Sequence, residues 1–152
     1  MTKSRREVSI RPFEARDQRA ARQLILNGLG EHFGFVDEAL NPDVDDIIAH
    51  YISHGHVFLV AEVGATLAGT GALKVEDSEG QIVRASVAPQ FRRQGIGRKL
   101  VEHLIDAARE KGLRRLIVET NHDWDDPIRL YQRCGFLEYD RDPESVWMKL
   151  EL

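Results

Sequence analysis

The sequence is poor in cysteine and has no long apolar run. Its one cysteine, Cys134, cannot form a disulfide within the chain, so we expect a reducing compartment. No apolar stretch approaches the roughly 20 residues that a membrane-spanning helix needs. The polar residues 1–7 are not followed by the apolar core of a signal peptide. Together these absences predict a cytoplasmic protein that has no membrane partner.

An excess of basic residues is also missing. Lysine and arginine number 21 against 25 aspartates and glutamates, and the net charge of -4 argues against a nucleic-acid partner. The 152 residues are 42% hydrophobic and 30% charged, which is typical of a globular protein with its own core. Because no repeat or linker interrupts the chain, residues 1–152 are expected to form a single domain. The histidines, Cys134 and the acids show no metal-ligand spacing, so no metal is expected.

Hydrophobic periodicity and turn residues predict a mixed α+β order of elements. The predicted strands are 8–13, then 57–63, 66–75 and 81–88 as an antiparallel meander, then 116–120, 136–139 and 146–150. The predicted helices start at Asp17 as N-cap, at Asn41-Pro42, at Gly97 (to 111) and near Pro127 (to 134) with Asp126 as N-cap. Residues 28–41 read as an irregular loop. The resulting order is β-α-α-β-β-β-α-β-α-β-β, with a β-α-β unit after the meander.

The turn that follows the fourth strand is the most informative segment. The strand ends at Val87, and a helix begins at the closely spaced Gly95 and Gly97. The first N–H groups of a helix have no partners and its dipole adds partial positive charge, so the glycines let an anion approach the backbone. The arginines that add positive charge are Arg92, Arg93 and Arg98. These features predict a pyrophosphate site.

Other phosphate-binding motifs fit this turn less well. A Rossmann fingerprint needs a third glycine where this chain has Leu100, and it opens a β-α-β unit instead of following a meander. A Walker A loop needs a Gly-Lys-Ser/Thr sequence that is missing here. Two glycines before a helix also occur in tight turns that bind nothing, so the glycine spacing alone does not decide the function.

Two stretches resemble the GNAT (GCN5-related N-acetyltransferase) superfamily. Its acyl-CoA motif Q/R-x-x-G-x-G/A resembles residues 92–97, and its later pattern, an Asn followed by Leu-Tyr-x-x-x-Gly-Phe, resembles Asn121 with residues 130–136. The order of elements is similar from Val8 to the end of the chain. The resemblance implies a GNAT-like acyl-CoA N-acyltransferase fold of the α+β (mixed α/β) class, with a central, mostly antiparallel sheet flanked by about four helices.

The resemblance also implies the site. The amides of residues 93–98 would hold the CoA pyrophosphate, and the strand ending at Val87 would pair with the pantetheine arm and offer an N–H to the thioester carbonyl. Tyr131 would be the general acid that protonates the leaving thiolate. The implied cofactor-binding residues are Val87, Arg92, Arg93, Gln94, Gly95, Ile96, Gly97, Arg98 and Asn121. The chain departs from the family at Trp124 to Pro127, where relatives carry a small residue, and this weakens the carry-over to Asn121.

The implied activity is an N-acetyltransferase that uses acetyl-CoA as co-substrate. An amine of a small molecule or a peptide would attack the thioester directly in a ternary complex, because a positioned neutral amine needs no covalent enzyme intermediate. A non-catalytic acyl-CoA sensor or regulatory subunit is the alternative, and an unrelated nucleotide-binding enzyme is a third hypothesis. The last two strands are a candidate homodimer surface.

The base that accepts the proton of the amine is not singled out by the sequence. Glu79, next to the turn before the fourth strand, is the first candidate, and the others are Glu76, Glu119, His32, His54 and His56. An acidic rim for a cationic amine would consist of Glu31, Asp37 and Glu38, with Phe35 and Trp124 lining the pocket. The acids at Asp43, Asp45 and Asp46 are interpreted as first-turn residues of a helix.

Overall fold

The computed structural model describes residues 7–34, 41–121 and 125–152. The strands are β1 (Val8–Pro12), β2 (Val57–Val63), β3 (Thr66–Glu76), β4 (Glu79–Val87), β5 (Arg115–Asn121), β6 (Leu137–Arg141) and β7 (Ser145–Glu151). The helices are α1 (Gln18–Phe33) and α2 (Ile47–His50) between β1 and β2, α3 (Ile96–Glu110) between β4 and β5, and α4 (Asp125–Arg133) between β5 and β6. The predicted order of elements is confirmed.

The seven strands form one sheet in the order β1-β2-β3-β4-β5-β7-β6. Every neighbouring pair is antiparallel except β4 and β5, which are parallel. Parallel neighbours need a crossover connection, and α3 supplies it. The predicted mostly antiparallel sheet with one β-α-β unit is therefore confirmed.

Apolar side chains cover both faces of the sheet. On one face, α1 and α2 pack over β2 and β3 through Ala21, Ile25, Ile47, Tyr51, Phe58 and Val60. On the other face, α3 buries the side chains that recur at helical spacing, Ile96, Leu100, Val101, Leu104, Ile105 and Ala108. The same cluster includes Tyr131 and Phe136, which brings the region of α4 to the face that α3 covers.

The first helix is longer than the sequence predicts. Residues 28–33 are helical and not part of a loop, and the helix ends at Gly34, whose φ of 80° is left-handed. Gly28 allows α1 to approach β4, because a Cβ there would lie 3.0 Å from the Ser86 hydroxyl oxygen. Gly28 and Gly30 therefore do not end the helix, because packing of α1 against the sheet outweighs their low helix propensity. Residues 35–40 lie outside the described residues.

The second predicted helix is interrupted. A 3-10 turn at Pro42–Asp45, the single turn α2 and a second 3-10 turn at Ile52–His54 replace it, because Asp46 has an extended φ of -149°. Asp46 instead caps α2 by accepting from the Ala49 N–H at 3.1 Å. As a result Ile48 and Ile52, which a continuous helix would place on one apolar face with Ile47 and Tyr51, are exposed. Asp126 is likewise not an N-cap, since α4 already begins at Asp125.

Asp17 stands at the N-cap of α1, but its carboxylate makes no capping bond to that helix. It accepts from the Glu14 N–H at 2.8 Å and from both terminal nitrogens of Arg11 at 2.7 and 2.9 Å. The hydrogen bonds from Arg11 lower the pKa of Asp17 despite its burial. Because Arg11 also contacts Glu62 on β2, the buried charge ties the start of α1 to two strands.

Candidate active site

The sheet opens between β4 and β5. Their pairing runs only from Glu79 opposite Arg115 to Ile82 opposite Val118, although β4 continues to Val87 and β5 to Asn121. Beyond that point the facing backbone edges of the two strands have no strand partner among the described residues. Backbone N–H and C=O groups need partners, so this gap is suited to an extended ligand that carries amides.

Val87 directs its backbone N–H towards the gap. The next N–H, that of Ala88, donates to the Ala68 carbonyl on the β3 side at 2.8 Å. Successive N–H groups of a strand point to opposite edges, so the Val87 N–H points to the β5 side. This places a backbone donor at the end of the open edge.

The turn after β4 presents a row of free N–H groups. Arg93 and Gly95 both have a left-handed φ, 62° and 81°, and α3 begins directly after them. The first N–H of α3 that reaches a backbone carbonyl is that of Lys99, which donates to Gly95 at 3.1 Å. Within the described part of the chain no backbone carbonyl accepts from residues 93–98. These donors, at the positive end of a 15-residue helix, are suited to binding an anion.

The three arginines of this turn differ in their contacts. Arg92 forms two hydrogen bonds with Glu31 of α1, at 2.5 and 2.9 Å, and its Nε also donates to the Val87 carbonyl. Arg98 pairs with Glu102 on the next turn of α3 at 2.9 Å. Arg93 has no carboxylate partner among the residues that the structure describes, and Gln94 beside it is exposed. Of the predicted phosphate ligands, Arg93 is therefore the readily available cation.

The two glycines of the motif have different roles. A Cβ at Gly95 would meet nothing within 4 Å, so its left-handed conformation, not crowding, demands glycine. A Cβ at Gly97 would lie 3.3 Å from Leu130 on α4 and 3.7 Å from Val87. Gly97 therefore lets α3 pack closely against α4, whereas the sequence had suggested that it makes room for a ligand. The buried Ile96 anchors the turn in the core.

Tyr131 lies on α4 next to this junction. Its side chain is only 3% exposed and its ring packs edge-to-face on Phe136 at 5.5 Å. Burial raises the pKa of the Tyr131 phenol, with a smaller contribution from Cys134. Because its neighbour Leu130 contacts the Gly97 position, the structure brings the phenol's helix to the anion site. A protonated phenol can donate, but not accept, a proton at neutral pH.

The end of β5 carries two polar side chains. Thr120 is 6% exposed, and its hydroxyl oxygen has no hydrogen-bond partner among the described residues. A buried hydroxyl without a partner is unfavourable, so this position fits a ligand that brings a hydrogen-bonding group. Asn121 is half-buried and pairs with Ser145 of β7. Both residues follow the last position at which β5 pairs with β4.

Glu79 and Glu119 lie at opposite ends of the parallel pair. Glu79 is the first residue of β4, opposite Arg115, so the structure does not bring it to Val87 at the other end of the strand. Glu119 directly follows Val118, where the pairing stops, and it is exposed. Its Oε2 accepts from the Ser145 hydroxyl at 2.7 Å. Of the two carboxylates, Glu119 alone borders the gap.

The other predicted acid, base and pocket residues are placed in part. The Nδ1 atom of His56 accepts from the Val75 N–H at 3.0 Å, and burial lowers the pKa of this histidine. Glu31 is engaged by Arg92. Phe35, Asp37, Glu38 and Trp124 lie outside the described residues, as does the side chain of His32.

Sequence reasoning missed Arg84. Its guanidinium binds Asp43, which had been interpreted as an ordinary first-turn acid, through Nε at 2.9 Å and Nη2 at 2.6 Å. The available signal was a charged residue between the apolar Val83 and Ala85 of a predicted strand. Neither charge is a surface feature, since each side chain is about one-fifth exposed, 20% and 19%.

The described ranges contain neither a metal-binding cluster nor a membrane-spanning helix. No group of three or more histidine, cysteine, aspartate or glutamate side chains there is arranged to hold a metal ion. None of the helices in residues 7–34, 41–121 and 125–152 has the length and apolarity to cross a bilayer.

The sequence matches known acetyltransferases. The profile described as Acetyltransferase (GNAT) family covers residues 15–136. Human N-acetyltransferase 8B is 34% identical over 123 residues, which are 76% of this chain and 54% of the human protein. The IAA acetyltransferase of Azospirillum brasilense is 37% identical over 103 residues, 62% of this chain and 67% of that protein. The chain thus spans about half the length of the human relative.

Solved structures share the fold. A GNAT-family acetyltransferase from Staphylococcus aureus Mu50 superimposes with a TM-score of 0.86 at 19% identity, covering 96% of this chain and 99% of that one. The PaiA N-acetyltransferase of Thermoplasma acidophilum, in complex with coenzyme A, has a TM-score of 0.83 at 17% identity, with the same coverage. At these identities the likeness establishes the fold, and the GNAT fold predicted from the sequence is confirmed.

Proposed function

The chain belongs to the GNAT acetyltransferase family, and from this we propose that it transfers the acetyl group of acetyl-CoA to a primary amine by direct attack in a ternary complex. One observation carries the proposal. The only parallel pair of the described sheet opens towards the anion-binding turn, and the helix of a buried phenol packs against that same turn. The turn suits the diphosphate of CoA, the open edge suits the amides of its pantetheine arm, and the phenol suits the thioester at the end of that arm.

The binding of CoA is assigned to three groups of residues. The N–H groups of 93–98 and the Arg93 side chain would hold the diphosphate. The unpaired edge of β4 up to Val87 would accept the pantetheine amides as an added strand would. On β5, the Thr120 hydroxyl and Asn121 would complete the polar contacts. Arg92 and Arg98 would contribute only by leaving Glu31 and Glu102.

The transfer itself needs donors for two developing charges. When an amine attacks the thioester, negative charge grows first on the carbonyl oxygen, which the Val87 N–H would stabilise. It then grows on sulfur, to which Tyr131 would donate its proton. Because the Tyr131 pKa is raised by burial, the phenol stays protonated at neutral pH and is ready for this step.

The proton of the amine needs an acceptor, and we assign this role to Glu119 in preference to Glu79. Glu119 is exposed where the strands part, and it is held by a hydrogen bond from Ser145. A carboxylate at this position can accept the proton directly or through one water. Glu79 is at the far end of β4. At about 3.3 Å per residue, an extended strand places it roughly 25 Å from Val87, whose N–H is proposed to contact the thioester.

Release of free thiol from acetyl-CoA tests the proposal. Purified protein is mixed with acetyl-CoA and a panel of small primary amines and short peptides, and thiol is measured with and without each amine. We expect amine-dependent release that is slowed by Glu119→Gln and not by Glu110→Gln, a change of an exposed carboxylate at the end of α3. Tight CoA binding without turnover on any amine would instead support the non-catalytic acyl-CoA sensor.

A further inference from the structure

Strand β4 contains one residue more than the part of β3 opposite it. Thr70 pairs with Ser86 and Ala72 pairs with Val83, so two steps along β3 correspond to three along β4. The strand therefore has a β-bulge between Val83 and Ser86. Within it Arg84 has a left-handed φ of 54°, which residues other than glycine rarely adopt.

The bulge decides which way the end of β4 faces. Ile82 packs in the core beside α3, and strict alternation would put Ser86 on the same side. Instead the Ser86 hydroxyl faces Gly28 of α1, and Val87 packs on the α3 side. An added residue also reverses the direction of each later N–H group. Without the bulge, the Val87 N–H would point to β3 and not to the gap.

Four side-chain hydrogen bonds hold the bulge in place. Both oxygens of Asp43 accept from Arg84, and its Oδ2 also accepts from the Tyr51 hydroxyl at 2.6 Å. On the other side, the Thr70 hydroxyl donates to the Arg84 carbonyl at 2.8 Å. Tyr51 and Thr70 are fully buried. The side chain and the carbonyl of Arg84 are thus both anchored, from different elements.

The charge state of Asp43 supports this anchoring. Burial acts to raise the pKa of Asp43, but the hydrogen bonds from Arg84 and Tyr51 outweigh it, and the net pKa is lowered. The carboxylate therefore stays ionised and paired, as a partly buried charge must. An unfavourable backbone conformation persists only where its surroundings hold it, and here it lies beside the proposed reaction site.

We propose that Asp43 and Arg84 form a positioning pair, which holds the β4 bulge and thereby aims the Val87 N–H into the gap. This inference rests on the proposed function, because the aimed N–H matters for turnover only if a thioester occupies the gap. The pair touches neither the anion turn at 93–98 nor Tyr131. Its loss should therefore lower kcat more than it lowers the affinity for CoA, because the diphosphate donors at 93–98 are untouched.

The test is Asp43→Asn, with Asp45→Asn as the matched control. Asp45 lies in the same 3-10 turn and pairs with Arg22 at 2.9 Å on the surface. We expect Asp43→Asn to lower kcat about tenfold or more, since misplacement by about 1 Å can cost about a hundredfold. By calorimetry the Kd for CoA should rise by less than the loss in turnover, about threefold at most against about tenfold, since the contacts at 93–98 remain. Asp45→Asn should change neither value.

Amide hydrogen exchange supplies a readout that does not depend on turnover. Asp43→Asn should speed exchange at Ser86 and Ala88, whose N–H groups face β3, and leave α3 unchanged. If Asp43→Asn does not fold, Tyr51→Phe removes one bond to Asp43 and should cause a smaller change in the same direction. Wild-type kcat in a folded variant, or a proportional fall of kcat and CoA affinity, would overturn the inference. If the wild type binds CoA but transfers nothing, the proposed function fails, and unchanged exchange at Ser86 and Ala88 would separately refute the pair.

Discussion

Tyr131 takes its chemical character from its surroundings. Its phenol lies in the core with Phe136 against one side, and the cost of burying a phenolate keeps it protonated. The same residue on an exposed helix would be an ordinary surface tyrosine. A buried donor near a leaving sulfur can supply a proton without competition from water.

Tyr131→Phe should lower kcat by about a hundredfold or more, because general acid catalysis contributes about 10²–10⁴-fold. The Kd for CoA should hardly change, since the phenol is not among the proposed diphosphate ligands. Steady-state thiol release and calorimetry measure the two quantities. Tyr139→Phe, which changes an exposed tyrosine on β6, is the control. Equal kcat in Tyr131→Phe and wild type would remove the phenol from the mechanism.

His56 makes folding stability depend on pH. Its Nδ1 accepts from the Val75 N–H, and its pKa in the folded chain is lowered by burial and by nearby cations. A lowered pKa means that the stabilisation is present above the unfolded value of about 6.5 and is lost as the pH falls through the folded pKa. We expect the Tm of the wild type to fall more between about pH 7.5 and pH 5 than that of His56→Gln.

The control for this prediction is His50→Gln, which changes an exposed histidine on α2. It should follow the wild-type pH dependence, since it leaves the bond to Val75 intact. Parallel curves for His56→Gln and the wild type would show that the ring does not couple folding to pH.

At the scale of elements, α3 connects packing to ligand binding. Its apolar stripe fills the core, and its start carries the free N–H groups of the candidate anion site. Left-handed glycines flank it at both ends, Gly95 with φ 81° and Gly112 with φ 75°. Neither has an atom within 4 Å of an added Cβ. The two ends thus have the same conformational requirement and different expected functions.

Gly95→Ala and Gly112→Ala should therefore destabilise the fold equally, by roughly 1–2 kcal/mol, the cost of a left-handed alanine. Only Gly95→Ala should weaken CoA binding, because only that glycine shapes the anion turn. Urea unfolding gives the free energies, and calorimetry gives the Kd values. Equal loss of CoA affinity in both variants would mean that the turn has no special role.

At the scale of the whole molecule, the site forms where two sheet segments part. Strands β1–β4 carry α1 and α2 on one face, and β5, β7 and β6 are joined to them through only four pairs of residues. A ligand in the gap would contact both segments at once. Ligand binding should therefore stabilise the fold as a unit.

CoA at about 100 times its Kd should stabilise the folded chain by about 2.7 kcal/mol, which corresponds to a rise in Tm of roughly 5–10 °C. Differential scanning fluorimetry measures the shift. NAD and ATP at the same concentration should produce a clearly smaller shift, since neither carries a pantetheine arm. A larger shift with NAD or ATP would contradict the assignment of the gap to CoA.

The sequence by itself determined the features that depend on near neighbours. Apolar spacing and turn residues specify β2 as 57–63, the amphipathic α3 and the order of all eleven elements, because periodicity and capping act within a few residues. The turn at 92–97 is equally local, since its glycines and arginines lie within six positions. The candidate anion site and the family could thus be identified before any contact was known.

Only the tertiary structure decided where the sheet opens and what shapes its edge. The parting after Ile82 and Val118, the position of Glu79 away from the gap, and the helical state of residues 28–33 all depend on packing between distant segments. Arg84 meets Asp43 across 41 positions of sequence. Such contacts leave no periodic pattern in the sequence. They are stabilised by interactions between residues that come together only when the chain folds.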